Sequence, residues 1–302
     1  MRFSVFVPLV CALAAFVLSM LCLFAGSKPN FMQDFEIVTL NTSSLGHDTS
    51  PTSSGSSSEP TSIGSWLNNI AGDPKGDIMG EFDDIRDDVA DKLAEKLGIH
   101  QWYNLHMTDM CMGTYTPKPT DEDAKKNVSS CTPMKAMYHF DPTSQLQKEL
   151  DSGPLAGKIN LADLGYSDDI KNGIKAFNIA MTAMFVLYCI GAAAAGLCII
   201  VALVSFFATG RLTSCLNFLL AIVALLALAI SSAIVTAIIV KATDLINQYG
   251  NDVGLYAYQG RKFLAMTWAA TAAMLLASVA WIVIFCMGRK ITRRRGAAEK
   301  PY

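Results

Sequence analysis

Four stretches of the chain contain no charged side chain: residues 3–27, 176–210, 212–240 and 263–288. A helix rises about 1.5 Å per residue and the hydrocarbon core of a bilayer is about 30 Å thick, so roughly 20 apolar residues cross it. Each stretch reaches that length, and the pattern predicts four membrane-spanning helices. The implied organisation is a first span over 1–27, an exterior loop domain over 28–175, spans over 176–210 and 212–240, a short exterior loop over 241–262, a last span over 263–288 and a tail over 289–302. The second span is longer than a bilayer needs, so it is expected to project outward through "YSDDIKNGIKAF", capped at Ser167. Within the long loop, residues 77–98 place Ile78, Phe82, Ile85, Val89, Leu93 and Leu97 three or four apart, one apolar stripe on a helix. Residues 41–65 are a Ser/Thr/Gly/Pro tract that reads as a flexible linker.

Composition agrees with this division. The chain is 52% hydrophobic and 17% charged, with net charge −2, whereas soluble domains carry roughly 25% charged residues. The four runs account for 115 of the 302 residues, so every charge sits in the other 187, at ordinary soluble density. A cytosolic enzyme, a nucleic-acid binder and a disordered chain are all poor readings of this composition. The first run is longer than the ~7–15 residues of a signal-peptide core and lacks good small-residue cleavage pairs, so it reads as a retained span.

Charge placement then sets orientation. The tail holds Arg289, Lys290, Arg293, Arg294, Arg295 and Lys300 against one acid, while residues 28–175 carry 13 basic and 23 acidic residues. By the positive-inside rule both termini are expected to be cytoplasmic and the long loop outside. The basic tail reads either as a stop-transfer anchor or as a lipid-facing segment, where each charge can gain about 1 kcal/mol from anionic inner-leaflet lipid.

Of eight cysteines, only Cys111 and Cys131 fall in the exterior loop. Two cysteines in one oxidising compartment are expected to pair, and a loop of this size is worth roughly 3 kcal/mol in the chain-entropy model. The fold class that follows is an all-α membrane protein, a four-helix transmembrane bundle with a large disulfide-containing extracellular first loop. The rival use of the loop is a metal or nucleophile site drawn from His100, His106, Asp109, Cys111, His139 and Asp141, but these show no metal-ligand spacing and no triad order. No catalytic residue, metal or cofactor is expected. Asn41 and Asn127 head N-glycosylation sequons, and Cys215 and Cys286 lie near cytoplasmic span ends as palmitoylation candidates.

The spans hold no carboxylate, histidine or basic residue, the groups that transporters and proton relays place at depth. Asn178, Tyr188, Asn217, Ser231, Ser232 and Thr236 are the deep polar groups, read as bridges between helices. "GAAAAG" in the second span supplies the small-residue pairs Gly191/Ala195 and Ala192/Gly196, a face for close helix packing within the bundle or between protomers.

Four stretches in order carry a family resemblance. "QWYNLHMTDMCMG" supplies Trp102, Tyr103 and Cys111; "SSCTPMKAMYHFDP" supplies Cys131, Phe140, Asp141 and Pro142; "FFATGRLTSCLN" is the inner turn; "LINQYGNDVGLYAYQGRKFLAMTWAA" supplies Gly260 and Trp268. Together they resemble the fungal Sur-seven/PalI family of four-span plasma-membrane proteins. The long Ser/Thr-rich insertion departs from that pattern, as does a tail of 14 residues, shorter than in PalI-type pH-signalling members. The resemblance implies a non-enzymatic organiser of eisosome-type cortical domains, with effects on endocytosis, cell-wall integrity and morphogenesis. Its implied partners are membrane lipids, related four-span proteins in homo- or hetero-oligomers and cortical eisosome scaffold proteins, with no nucleic acid and no small-molecule substrate. The alternative it implies is a four-span receptor or regulator of calcium influx or membrane fusion during mating.

Overall fold

A computed structural model describes residues 5–29, 31–44, 99–116, 124–152, 168–207, 211–251 and 254–298. The amphipathic 77–98 segment, Ser167 and most of the 41–65 tract lie outside those residues. Helices run over Phe6–Phe24 (α1), Pro142–Ser152 (α2), Asp168–Phe207 (α3), Arg211–Gly250 (α4) and Arg261–Ala298 (α5), and strands over Val38–Asn41 (β1), Trp102–Leu105 (β2), Met110–Thr116 (β3), Lys125–Cys131 (β4) and Tyr256–Gln259 (β5). Four helices are long and apolar enough to cross a membrane: Phe6–Phe24, Lys171–Ser205, Thr213–Gln248 and Arg261–Ile284. The expected extension of the second span ahead of its charge-free run is present, since α3 begins at Asp168 and is 40 residues long, about 60 Å. The third span also continues past its run, to Gly250, through residues the sequence pattern assigned to a loop.

The chain divides into two compact units. The first comprises α1, residues 183–236 of α3 and α4, and α5. Its interior is built from small side chains: Ala12, Ala15, Ala192, Ala195, Ala202, Ala221, Ala224, Ala270 and Ala277 are all buried. Large ones such as Leu197, Ile200, Leu226 and Leu276 face outward. Lipid tails are as apolar as leucine, so a bundle in lipid gains by close backbone approach rather than by hiding bulk. α1 packs on α5, and Trp281, Leu228 and Met274 fill the wider gaps.

The second unit comprises residues 25–182 and 237–260. Its centre is a five-stranded antiparallel sheet in the order β4-β3-β2-β1-β5. This sheet is the part of the loop that the helical reading lacked. Four to seven residues per strand, with Asn104 and Thr39 turned inward, leave no clean period-two alternation to read. Asn41, expected to open the flexible tract, is instead the last residue of β1 and pairs with both Trp102 and Tyr256. β5 comes from the loop between the third and fourth spans, so it and the loop between the first and second share one sheet and must lie on one side of the membrane.

Candidate functional site: the disulfide-bearing sheet and the bundle interior

Cys111 and Cys131 stand opposite one another on β3 and β4 and form the disulfide. The residues around the bond are tightly used. Trp102 on β2 is fully buried, and its indole Nε1 donates to the Thr114 carbonyl at 3.1 Å. Opposite it stands Gly113, where a Cβ would lie 1.9 Å from the Asn127 carbonyl oxygen and 2.6 Å from the Trp102 ring. Lys126 reaches back over the same face. Its ammonium sits 5.7 Å from the Trp102 ring centre, 3.1 Å from Thr39 Oγ1, 3.2 Å from Asn104 Oδ1 and 3.6 Å from Glu36 Oε1. A single amine thereby ties β4 across the sheet to β1 and to the segment that precedes it.

The opposite face is covered by α2. The Phe140-Asp141-Pro142 element acquires a structural meaning here: Asp141 accepts from the Ser144 backbone N–H at 3.2 Å, and Pro142 begins the helix where no N–H is needed. Gln145 then reaches Met112, and Glu149 receives the Tyr103 hydroxyl. Glu149 is buried and also lies 3.3 Å from His100 Nδ1. Burial and the neighbouring Glu149 carboxylate push the Tyr103 hydroxyl above its ordinary pKa, so it acts as a fixed donor.

Phe140 is held by Asn178 of α3 through two reciprocal bonds: its N–H donates to Oδ1 at 2.8 Å and its carbonyl accepts from Nδ2 at 2.9 Å. Its ring meets Phe177 edge-on at 5.8 Å. Asn178, expected to bridge spans, therefore secures the loop between the first two spans to the helix. Gly260 makes a similar close junction, donating its N–H to the Ile37 carbonyl where a Cβ would lie 1.8 Å from the Glu36 carbonyl oxygen.

The residues proposed from sequence as a metal or nucleophile set are dispersed. His100 pairs with Glu149, His139 turns to the Met137 carbonyl and Asp141 caps α2. Asp109, Cys111 and Cys131 do converge, with ligand atoms within 4.8 Å of one another, but both sulfurs are consumed in the disulfide. A disulfide sulfur is not the thiolate that binds metal. Asp109 is buried beside it, and burial pushes its carboxyl up to about 7. His106, also buried, is held down to about 4 by burial, and its ring fills the space that a side chain on Gly26 would occupy.

Within the bundle, three serines reach polar groups of neighbouring helices, while Ser19, Ser205 and Thr236 donate to carbonyls of their own helix. Ser231 donates to Met184 at 3.0 Å, Ser232 lies 3.0 Å from Thr271 Oγ1 and 3.3 Å from the Thr267 carbonyl, and Ser278 is shared between Met274 of its own helix at 2.9 Å and Ala221 at 3.3 Å. Trp268 is half-exposed, and its indole donates to Thr236 Oγ1 at 3.2 Å. Gly191 lies where a Cβ would come within 2.8 Å of Leu228 on α4, and Gly196 where one would meet Phe16 of α1 at 3.2 Å. The small-residue face, with buried Ala195, is thus used inside the bundle. Cys215 is exposed; the side chains of Cys286 and of Arg289, Lys290, Arg293, Arg294 and Arg295 lie outside the described residues, although α5 carries their backbone. Gly113, Lys126, Glu149 and Asn178 were not singled out as partners of the motif residues from sequence; "HFDP" ahead of a polar helix is the one local signal that could have exposed the cap.

No curated protein and no solved structure matches the chain. The model of the SUR7/PalI family matches residues 4–280. With four candidate spans, a disulfide-bearing sheet after the first of them and that match over nearly its whole length, the chain belongs to the SUR7/PalI family.

Proposed function

We propose that the protein is a non-enzymatic organiser of plasma-membrane domains of the eisosome type, acting in endocytosis, cell-wall integrity and morphogenesis. The carrying observation is how the bundle uses its polar groups: Ser231 donates to the Met184 carbonyl of another helix, Ser232 lies between Thr267 and Thr271 of another helix, and Ser278 is shared between Met274 of its own helix and Ala221 of another. Such bonds fix helices against one another, whereas a conduit keeps polar groups facing a path. The family is one of membrane proteins and not an enzyme family, which favours the same reading.

In this reading both termini are cytoplasmic and the sheet faces the wall. The basic tail engages anionic lipid or cortical scaffold proteins, and the bundles associate laterally with copies or related four-span chains. Cys215 and Cys286 would supply further anchoring by palmitoylation. Of the two sequons, Asn127 is favoured as the glycan carrier because it is exposed on β4, an edge of the described sheet. Asn41 is half-buried, and its Oδ1 is occupied by Ser43. Live imaging of a C-terminally tagged full chain tests the function. Static cortical patches are expected, and a diffuse or internal-membrane signal would overturn it.

A further inference from the structure

Two separate exposed apolar points of the sheet unit lie within a few residues of hydrogen bonds made at the ends of charge-free runs, one to backbone and one to the Asn178 side chain. The first is Phe31, 38% exposed. Gly26, in a left-handed conformation just past α1, donates its N–H to the Phe31 carbonyl at 3.1 Å, and Phe31 donates to the Lys28 carbonyl at 2.9 Å. The chain leaving the first span thus turns back, and Phe31 returns beside Gly26, a residue still within the charge-free run. The second point is the loop after the disulfide, where Met134 and Met137 are each 45% exposed. Three residues beyond Met137, Phe140 is clasped to Asn178, the third residue of the second charge-free run. An extended chain covers at most about 3.6 Å per residue, so Met137 lies within roughly 11 Å of that clasp.

We propose that the sheet unit lies on the bilayer rather than standing clear of it, with Phe31, Met134 and Met137 entering the interfacial layer of the outer leaflet. The committed partner is the lipid surface. Apolar side chains exposed at the depth where spans meet headgroups are stabilised by entering that layer. The charges beside them fit as well. Lys28 precedes Phe31, and Lys135 stands between the two methionines; a lysine stem can lie along apolar surface while its ammonium meets lipid phosphate. Docking of two independent points, from before β1 and after β4, would fix the sheet's height.

The test uses the full chain in vesicles whose phosphatidylcholine carries a photoactivatable diazirine near the glycerol. After irradiation, peptide mass spectrometry should find lipid adducts on the segments holding Phe31 and residues 132–140, alongside the spans. Met134→Glu combined with Met137→Glu should lower adducts on 132–140 by roughly tenfold or more, given what two methionines gain on leaving water, and leave span adducts unchanged. Span labelling without adducts on either segment overturns the proposal. So does protein-to-protein cross-linking of 132–140 between copies in place of lipid, which would make the surface an oligomer contact. Because the readout is lipid proximity in vesicles, failure of the imaging test leaves it unaffected.

Discussion

Gly113 shows how closely single positions are specified. Its missing Cβ admits both the Trp102 ring and the Asn127 carbonyl, at separations no side chain tolerates. Gly113→Ala is therefore expected to destabilise the sheet unit by several kcal/mol, on the order of other overpacked sites, read as a lowered thermal midpoint in detergent. Gly173 in α3 meets nothing within 4 Å, and Gly173→Ala there should be neutral or gain up to about 1 kcal/mol from helix propensity. Asp109 and His106 give a pH test with opposed signs. Asp109 is raised from 3.8 to about 7, so the folded form keeps a proton that the unfolded chain releases, and its contribution is lost as pH rises across that window. His106 is lowered from 6.5 to about 4, so the unfolded chain takes up a proton that the folded form refuses, and stability is lost as pH falls across that window. Asp109→Asn should leave a sheet more stable at pH 6.5 than at pH 4, relative to the wild type. His106→Gln should tilt the profile the other way, and hydrogen exchange of the β2–β3 amides at the two pH values distinguishes them.

At the scale of elements, α2 opens on the Asp141 cap, and among its described side chains Gln145 and Glu149 reach the sheet. Its sequence is polar, and an isolated 11-residue helix is marginal in water. Asp141→Ala should cost about 1 kcal/mol through loss of the cap and raise exchange through 142–152 while β3 and β4 stay protected. The disulfide acts on a different element. Cys111→Ser frees Cys131, removes the covalent tie between β3 and β4 and should cost about 2–5 kcal/mol. Retention in the secretory pathway is the expected cellular result, and non-reducing peptide mapping of the wild type should recover Cys111 linked to Cys131. The spans were legible because a charge-free run needs no partner to be recognised. The strands were not: β2 is buried on both faces, so "WYNL" has neither the alternation of a half-exposed strand nor the length of a helix.

Across the whole molecule, β5 joins the second exterior loop to β1, next to strands that enter from the first loop. Asn247 strengthens that junction, bonding both the N–H of Ala257 at 2.7 Å and its carbonyl at 3.1 Å. Asn247→Ala should cost about 1–3 kcal/mol by leaving both backbone groups short of a partner, and should raise exchange in β5 and β1 together. If β5 alone responds, the loops are not one cooperative unit. A sheet that draws on segments separated by more than 200 residues also makes the exterior unit dependent on three spans having been inserted correctly.

What the sequence determined by itself is what depends on local composition. Charge-free runs make spans because burying charge in hydrocarbon is costly. Two cysteines left outside those runs, in one acidic loop, are natural partners for one another. Only the tertiary structure decided which loop residues are strands, that the first and third inter-span loops share a sheet, and that Asn178 holds Phe140 rather than another span. Each of these rests on contacts between residues far apart in the chain, whose energy appears only when the partners meet. A motif such as Phe140-Asp141-Pro142 could be recognised from its letters, but its work as clasp and cap depends on Asn178 and Ser144 standing where the fold puts them.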